Sequence, residues 1–362
     1  MNGNRIDGFS RLQSHNQLQA VITEMKLDLF RQMRNVACGN TASMPTNSFT
    51  GSRRRDDVSY RRQETADQVY LFDHRRPYVQ IFRPTDSQYD RPVNYLNHTN
   101  WPKPRKNAAV VFWRGQIWLI GGQEELDNGK KRDSKQVDKY TPRHDLWTTG
   151  PSLVAARRFA TVAVLRDRII VCGCGYTNTD NCQTTCEQLT GDGTEWRTVI
   201  TNSEVCMKTS TSIVVGHKLY LFGGACDGRR NHVNIWDSQS KVWSRGTDML
   251  TDRWEGHSAA IIEGTHVMLC GGHHGKEATD TCSIYNIVTD EWTPATTMAE
   301  ARVLVRLATL QGKVYAFGGN TANSATNRVE VYHPGTKMWS SVLNAHLHAG
   351  GHLLAAIALP TL

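Results

Sequence analysis

The sequence predicts an all-β protein: a six-bladed β-propeller closed by a C-terminal strand, behind a short N-terminal extension. Three observations carry the prediction. Paired-glycine positions recur at Gly121-Gly122, Gly173-Cys174, Gly223-Gly224, Gly271-Gly272 and Gly318-Gly319, in steps of 52, 50, 48 and 47 residues. After each pair an apolar residue stands seven before a tryptophan: Tyr140/Trp147, Leu189/Trp196, Trp236/Trp243, Tyr285/Trp292 and Tyr332/Trp339. Two incomplete units lie at the ends of the repeat array and together make a sixth. A fixed period of this length means a propeller or a solenoid, and strand-only patterning selects the propeller.

One unit shows the pattern. Val314-Tyr315-Ala316-Phe317 is an apolar run of β-formers that stops at Gly318-Gly319. A polar loop follows, then the alternating run Val329-Glu330-Val331-Tyr332, the turn His333-Pro334-Gly335-Thr336, and Trp339. That reads as strand, turn, strand, turn, strand. A further strand precedes each glycine pair, over 108–113, 160–165, 212–215, 259–262 and 304–310, and ends in a short turn such as Gln311-Gly312-Lys313. Each unit therefore has four strands, and the strand before the glycines is expected to be innermost, where small and apolar residues fit a crowded axis.

The end fragments fit this scheme. Residues 69–72 look like a strand before a glycine pair, with Asp73-His74 in place of the glycines, and Phe82 to Tyr89 keeps the seven-residue step. At the other end, 351–359 looks like a first strand with nothing after it. The expected blades are 69–101 plus 350–359, 102–150, 151–200, 201–250, 251–299 and 300–345. Closing the ring this way leaves no open sheet edge at the junction.

Residues 1–68 differ from the repeats. Leu18, Ile22, Met25, Leu29 and Met33 have helical spacing, which predicts a short amphipathic helix over about 15–34. The polar stretch after it, with Arg53-Arg54-Arg55, reads as a flexible basic linker. The formal charge is +8, of which the first 68 residues contribute +3. That is mildly basic and does not by itself argue for nucleic acid. No window approaches 18 continuous apolar residues, so no membrane span is expected. The N-terminus has no apolar signal core, so the nine cysteines are expected as free thiols in a reducing, cytoplasmic setting.

The glycine pair, the aromatic and the tryptophan seven residues on, repeated about every fifty residues, resemble the kelch repeat over roughly 69–362. Cys174, Leu189 and Asp73-His74 are the departures. Within that group the chain looks most like the propeller of the kelch-like family. In that family a BTB domain and a helical BACK domain precede the propeller. The propeller recruits a substrate protein, and the BTB end binds a cullin-type ubiquitin ligase scaffold. The resemblance thus implies the substrate-recognition propeller of a cullin-RING ligase adaptor. Its alternatives are an actin-associated or other scaffold kelch protein, which would place the chain at the cytoskeleton, and an enzyme using the channel. The 68 residues ahead of the repeats are too few for a BTB and a BACK domain.

Partner binding is expected on the face made by the loop before the first strand and the loop after the glycines. Counting back sixteen residues from the first glycine lands on Arg105, Arg157 and Arg302, with Met207 and Glu255 in the other two repeats and Arg253 two residues from the latter. A partial ring of guanidinium groups suits a carboxylate-bearing peptide, since each can hold a carboxylate by two hydrogen bonds. Equally, each arginine could pair with a neighbouring blade's acid or a backbone carbonyl. His74, Arg75, Gln123, His273, His274 and Asn320 follow the glycine positions, and His232 and Arg328 stand four before the aromatic slot. This is the composition of a polar recognition surface. The charged loop 124–133 reads more as a solvated loop than as a specificity element.

No catalytic set, cofactor or metal centre is expected. His273 and His274 are adjacent on a strand and point to opposite sides, a poor chelate. Cys172, Cys174, Cys182 and Cys186 have spacing near a zinc pattern, but Cys172 occupies a core slot. Cys226 is the better candidate for a reactive thiol. The tryptophans sit at structural slots, so they offer no stacking platform for nucleic acid.

Overall fold

A computed structural model gives the fold. The chain divides into two units, Met1–Arg53 and Arg54–Leu362. The described residues, all in the second unit, are 66–73, 78–84, 93–97, 102–174, 185–201, 205, 207, 209–225, 230–253, 255–348 and 353–359. The predicted N-terminal helix and linker, as well as His74, Arg75, Cys182 and Cys226, lie outside them.

Six four-stranded antiparallel sheets form the six blades. From the axis outward, blade 1 is Leu353–Leu359, Gln68–Asp73, Tyr78–Phe82 and Val93–Asn97, so the C-terminal strand supplies its innermost element. Blade 2 runs Ala109–Trp113, Gln116–Ile120, Val137–Thr141 and Leu146–Thr149; blade 3 runs Thr161–Leu165, Arg168–Cys172, Thr185–Leu189 and Trp196–Thr201. Blade 4 is Thr211–Val215, Lys218–Phe222, Val233–Asp237 and Val242–Gly246; blade 5 is His257–Ile262, His266–Gly271, Cys282–Asn286 and Glu291–Ala295. Blade 6 is Arg306–Leu310, Lys313–Phe317, Val329–His333 and Met338–Ser341. Each innermost strand touches its counterparts in the two adjacent blades, and the strand of blade 1 lies between those of blades 6 and 2. The ring is closed as the two end fragments predicted.

The core is distributed rather than central. Six clusters of buried apolar residues occupy the six blade-to-blade interfaces, because every blade is apolar on both faces. The aromatic and the tryptophan of each motif sit directly opposite on the third and outermost strands, as Tyr285↔Trp292 and Tyr332↔Trp339 do. Their rings contact each other, at 4.9 Å for Tyr285–Trp292, and the tryptophan reaches the preceding blade. Trp196 donates to the Pro151 carbonyl at 3.0 Å, Trp292 to Thr247 at 2.9 Å and Trp339 to Thr296 at 3.1 Å. A ring with one polar corner fills the wedge between blades and satisfies a carbonyl there.

One expectation is corrected. The cysteines are not all free: Cys172–Cys186 and Cys270–Cys282 are disulfides, and Cys174 is disulfide-bonded as well. Both named pairs join directly opposed residues of the second and third strands, with Cα atoms 4.1 and 4.2 Å apart. The same slot holds Ile120↔Val137, Phe222↔Val233 and Phe317↔Val329 elsewhere, so the sulfurs replace an apolar pair. Sequence order hid this, because the partners are brought opposite only by strand register. The loop 124–133 is a largely exposed hairpin. Gln123–Glu125 pairs with Lys131–Asp133, and Arg132 closes on Glu124 at 2.8 Å.

Blade 1 depends on its closing strand, which contributes Leu353, Ala355 and Leu359 to the interfaces with blades 6 and 2. Removing residues 353–362 exposes the edge of Gln68–Asp73 and opens both interfaces. We expect a melt followed by circular dichroism to lose its cooperative transition or to fall by more than about 10 °C. An unchanged melt would contradict closure by this strand.

Candidate partner-binding face

The loops entering the innermost strands and the loops leaving the glycine pairs meet at one end of the ring. Here the chain must turn sharply next to neighbouring backbone. The turn residues Asn107, Phe159, Thr209, Gly256 and Leu304 all have positive φ and occupy one repeat position. Phe159 donates its amide to the Asn107 carbonyl at 2.9 Å, and Leu304 to Gly256 at 2.7 Å, so adjacent blades are tied together around the channel mouth.

The four arginines at this end are not a recognition ring. Arg105, Arg157, Arg253 and Arg302 are at most 1% exposed. Each donates to the carbonyl of its own blade's first glycine: Arg105 to Gly121 at 2.7 Å, Arg157 to Gly173 at 2.9 Å, Arg302 to Gly318 at 3.2 Å, and Arg253 to Gly271. Three also hold a buried carboxylate on the third strand: Arg105 with Asp138 at 2.7 Å, Arg157 with Glu187 at 2.8 Å, and Arg302 with Glu330. Two of these acids are shared with the backbone. Glu187 accepts the Val154 and Ala155 amides at 2.6 and 3.0 Å, and Glu330 accepts that of Ala299 at 2.8 Å. A guanidinium removed from water needs this full set of partners, and a peptide carboxylate cannot reach it.

The arginine's own carbonyl completes the arrangement. It accepts the amide of the preceding blade's second glycine, Gly122 to Arg157 at 2.6 Å and Gly272 to Arg302 at 2.8 Å. A Cβ on Gly121 would stand 2.3 Å from that same Arg157 oxygen, and one on Gly173 would stand 1.7 Å from the equivalent oxygen of Met207. The first glycine is therefore required by close approach as well as by its φ of +62° or +72°. Cys174 is tolerated at the second position because it does not take a positive φ.

The buried acids were readable in the sequence. Asp138, Glu187, Asn234, Ser283 and Glu330 stand two before the aromatic slot. The repeats with an acid there have arginine in the sixteen-residue register, and the repeat with Asn234 has Met207. Arg253 lacks a carboxylate partner among the described residues and is held by Thr281, whose hydroxyl accepts at 2.9 Å. Burial alone lowers its pKa to about 10.

The remaining predicted residues are closer to solvent. Gln123 is half-buried and donates to Asp133 at 3.1 Å. Asn320 is half-buried and bridges Val303 and Ala325 through its backbone. His232 is half-buried. His273 is half-buried with Nδ1 3.6 Å from Glu255, and burial lowers its pKa. His274 is exposed, with a ring nitrogen 3.3 Å from the Asp252 carbonyl. Arg328 has 60% of its side chain exposed and pairs with Glu300 at 3.1 Å. A short ladder of His273–His274 with Glu277–Ala278 gives blade 5 a hairpin after its glycines, as blade 2 has. Among the described residues no group of three or more His, Cys, Asp or Glu is placed to hold a metal ion.

The comparisons with known proteins agree with the fold. Residues 209–352 match the KLHDC2/KLHL20/DRC7 Kelch-repeats domain, and residues 104–154 match the Kelch motif. The chain is a kelch-repeat propeller. Among kelch relatives, human Kelch-like protein 23 is 32% identical over 35% of this chain and 23% of its own length. Mouse Kelch-like protein 36 is 22% identical over 68% of this chain and 41% of its own length. A Caenorhabditis elegans "Kelch repeat and BTB domain-containing protein" is 30% identical over 35% of this chain and 22% of its own length. The chain thus spans less than half the length of these relatives. A solved structure, titled "Structure of YjhT", overlays with a TM-score of 0.62 at 13% identity, over 76% of this chain and 97% of that one, a likeness of fold alone. No helix among the described residues is long and apolar enough to cross a membrane.

One buried group makes the kelch ring sensitive to pH. His257 is 4% exposed, and its Nε2 contacts the Phe222 carbonyl of the neighbouring blade at 2.9 Å. Burial, with Arg253 nearby, lowers its pKa from 6.5 to about 4. The unfolded chain therefore binds a proton before the folded one does. Stability is complete above pH 6.5 and falls as pH drops towards 4, by up to ~3 kcal/mol for this group. Urea denaturation between pH 7 and 5 should show a shallower loss for His257→Gln than for the unsubstituted protein. Equal slopes would show that His257 does not titrate this way.

Proposed function

We propose that this kelch propeller is a protein-recruiting module and serves as the substrate-recognition part of a cullin-RING ubiquitin ligase adaptor. The observation that carries the reading is similarity over part of this chain to proteins named kelch-like and, in one case, named for a BTB domain beside the kelch repeats. A propeller is well suited to this role. Its blades bury their faces against each other, so the loops at one end can vary without unfolding the ring.

The recruiting surface is the polar rim outside the buried arginines. Arg328, His274 and Lys276 are exposed there, with Lys130 and Lys131 on the hairpin of blade 2. Cationic and imidazole groups of this kind favour an acidic segment of a partner protein and speed its encounter. His232, His273, Gln123 and Asn320 lie further in and supply hydrogen-bonding groups at its base.

Proximity labelling of the tagged protein in its own cells tests the role. Recovery of a cullin and its RING partner supports the ligase reading. Recovery of actin with no cullin would replace it with a scaffold role. The surface is tested separately on a captured partner. Combining His274→Ala, Lys276→Ala and Arg328→Ala should weaken capture at least about tenfold while leaving the melting temperature within about 2 °C. Unchanged capture by the folded variant would move the surface elsewhere.

A further inference from the structure

The channel wall has one residue that breaks its pattern. One step inside the mouth, the six innermost strands present Ala109, Thr161, Thr211, Ser258, Arg306 and Ala355, each opposite the last apolar residue of the second strand. All six line a cavity of about 270 Å³ at the axis. Five are small. The sixth carries a guanidinium into a space where its neighbours leave room.

Arg306 differs from the four clasp arginines in its partners. Its Nε donates to the Leu354 carbonyl at 2.9 Å and its Nη1 to the Val305 carbonyl at 3.4 Å. Among the described residues it forms no ion pair with a carboxylate, unlike Arg105, Arg157 and Arg302. Burial lowers its pKa to about 10, so it is charged at neutral pH and carries a desolvation cost that carbonyls only partly offset. Hydroxyl groups surround the same space. Thr161 and Thr211 line it at the same level, and the buried Ser210 hydroxyl has no hydrogen-bond partner among the described residues.

The other titratable groups on the described lining are Glu255 and His257. His257 is neutral at pH 7 because burial lowers its pKa to about 4. Glu255 stands beside His273, 3.6 Å from its Nδ1, and its negative charge on the same lining opposes an anion.

We propose that Arg306 and the hydroxyl-bearing strands beside it form a binding site for a small oxyanion, of the phosphate or carboxylate class, inside the channel mouth. The guanidinium N–H groups not used by the Leu354 and Val305 carbonyls donate to oxygens of such a group, and hydroxyls of blades 3 and 4 donate to the others. The site is separate from the exposed rim that recruits a protein and needs no partner to fill.

The test uses the chain alone, so it does not depend on the partner-binding reading. Inorganic phosphate is titrated at constant ionic strength and followed by phosphorus line broadening, with acetate in a parallel thermal-shift titration. The two arms separate a phosphate from a carboxylate preference. Saturable binding should weaken at least about tenfold in Arg306→Gln and survive in Arg306→Lys. It should tighten by about threefold in Glu255→Gln, which removes the opposing charge, and stay unchanged in Arg328→Gln. Equal affinity in Arg306→Gln, or no saturation of the unsubstituted protein by either anion up to about 50 mM, would overturn the proposal. If Arg306→Gln fails to fold, the Glu255→Gln comparison decides it: an unchanged or weaker affinity counts against the site.

Discussion

The ring depends on one contact made between successive blades: a backbone carbonyl of the entering loop pressed against a glycine of the blade before. Gly121 meets Arg157, Gly173 meets Met207, Gly223 meets Arg253 and Gly271 meets Arg302, each at a distance no Cβ could occupy. The next amide then donates to that carbonyl where the second residue is glycine, as at Gly122, Gly224 and Gly272. Where the loop residue is an arginine, its side chain turns back into its own blade and binds the carbonyl of its own first glycine. One residue thus joins two blades, through its backbone on one side and its side chain on the other. At Arg157 and Arg302 the buried charge is tolerable because an acid and carbonyls meet it, whereas Arg253 is met by carbonyls and the Thr281 hydroxyl.

That contact also sets what the face can do. It consumes the arginines that would otherwise be its strongest exposed charges. The rim keeps His274, the two hairpins and Arg328, the last sharing Glu300 with the clasp arginine Arg302. The channel behind the rim is bounded by small residues because six innermost strands converge there. A single arginine in that wall is therefore unusual, and its lack of a carboxylate is chemically different from the paired arginines nearby.

Much of the fold was legible in the sequence. The glycine pairs, the aromatic–tryptophan step and the two end fragments each report a local geometric need, so they predicted six blades and the closing strand. The arginines were found for the right reason, a shared register, and then misassigned, because their exposure depends on Glu187 and Glu330 approaching from the third strand. That pairing was also visible, as the acid two before the aromatic slot disappears where the arginine does. The disulfides were not legible. Cys172 and Cys186, like Cys270 and Cys282, are separated by a loop, and only strand register sets them opposite each other. Arg306 was passed over because its significance lies in the five small residues of other blades at its level.

The central claim is that the buried arginine and the third-strand acid form one structural unit. A double-mutant cycle on Arg302 and Glu330 measures it directly, with stability read by urea denaturation. Arg302→Met and Glu330→Met should each cost roughly 3–5 kcal/mol, since each strands the partner's charge in the interior, and the double variant should cost clearly less than the sum. Additive losses, or single losses below about 1 kcal/mol as for exposed pairs, would contradict the account.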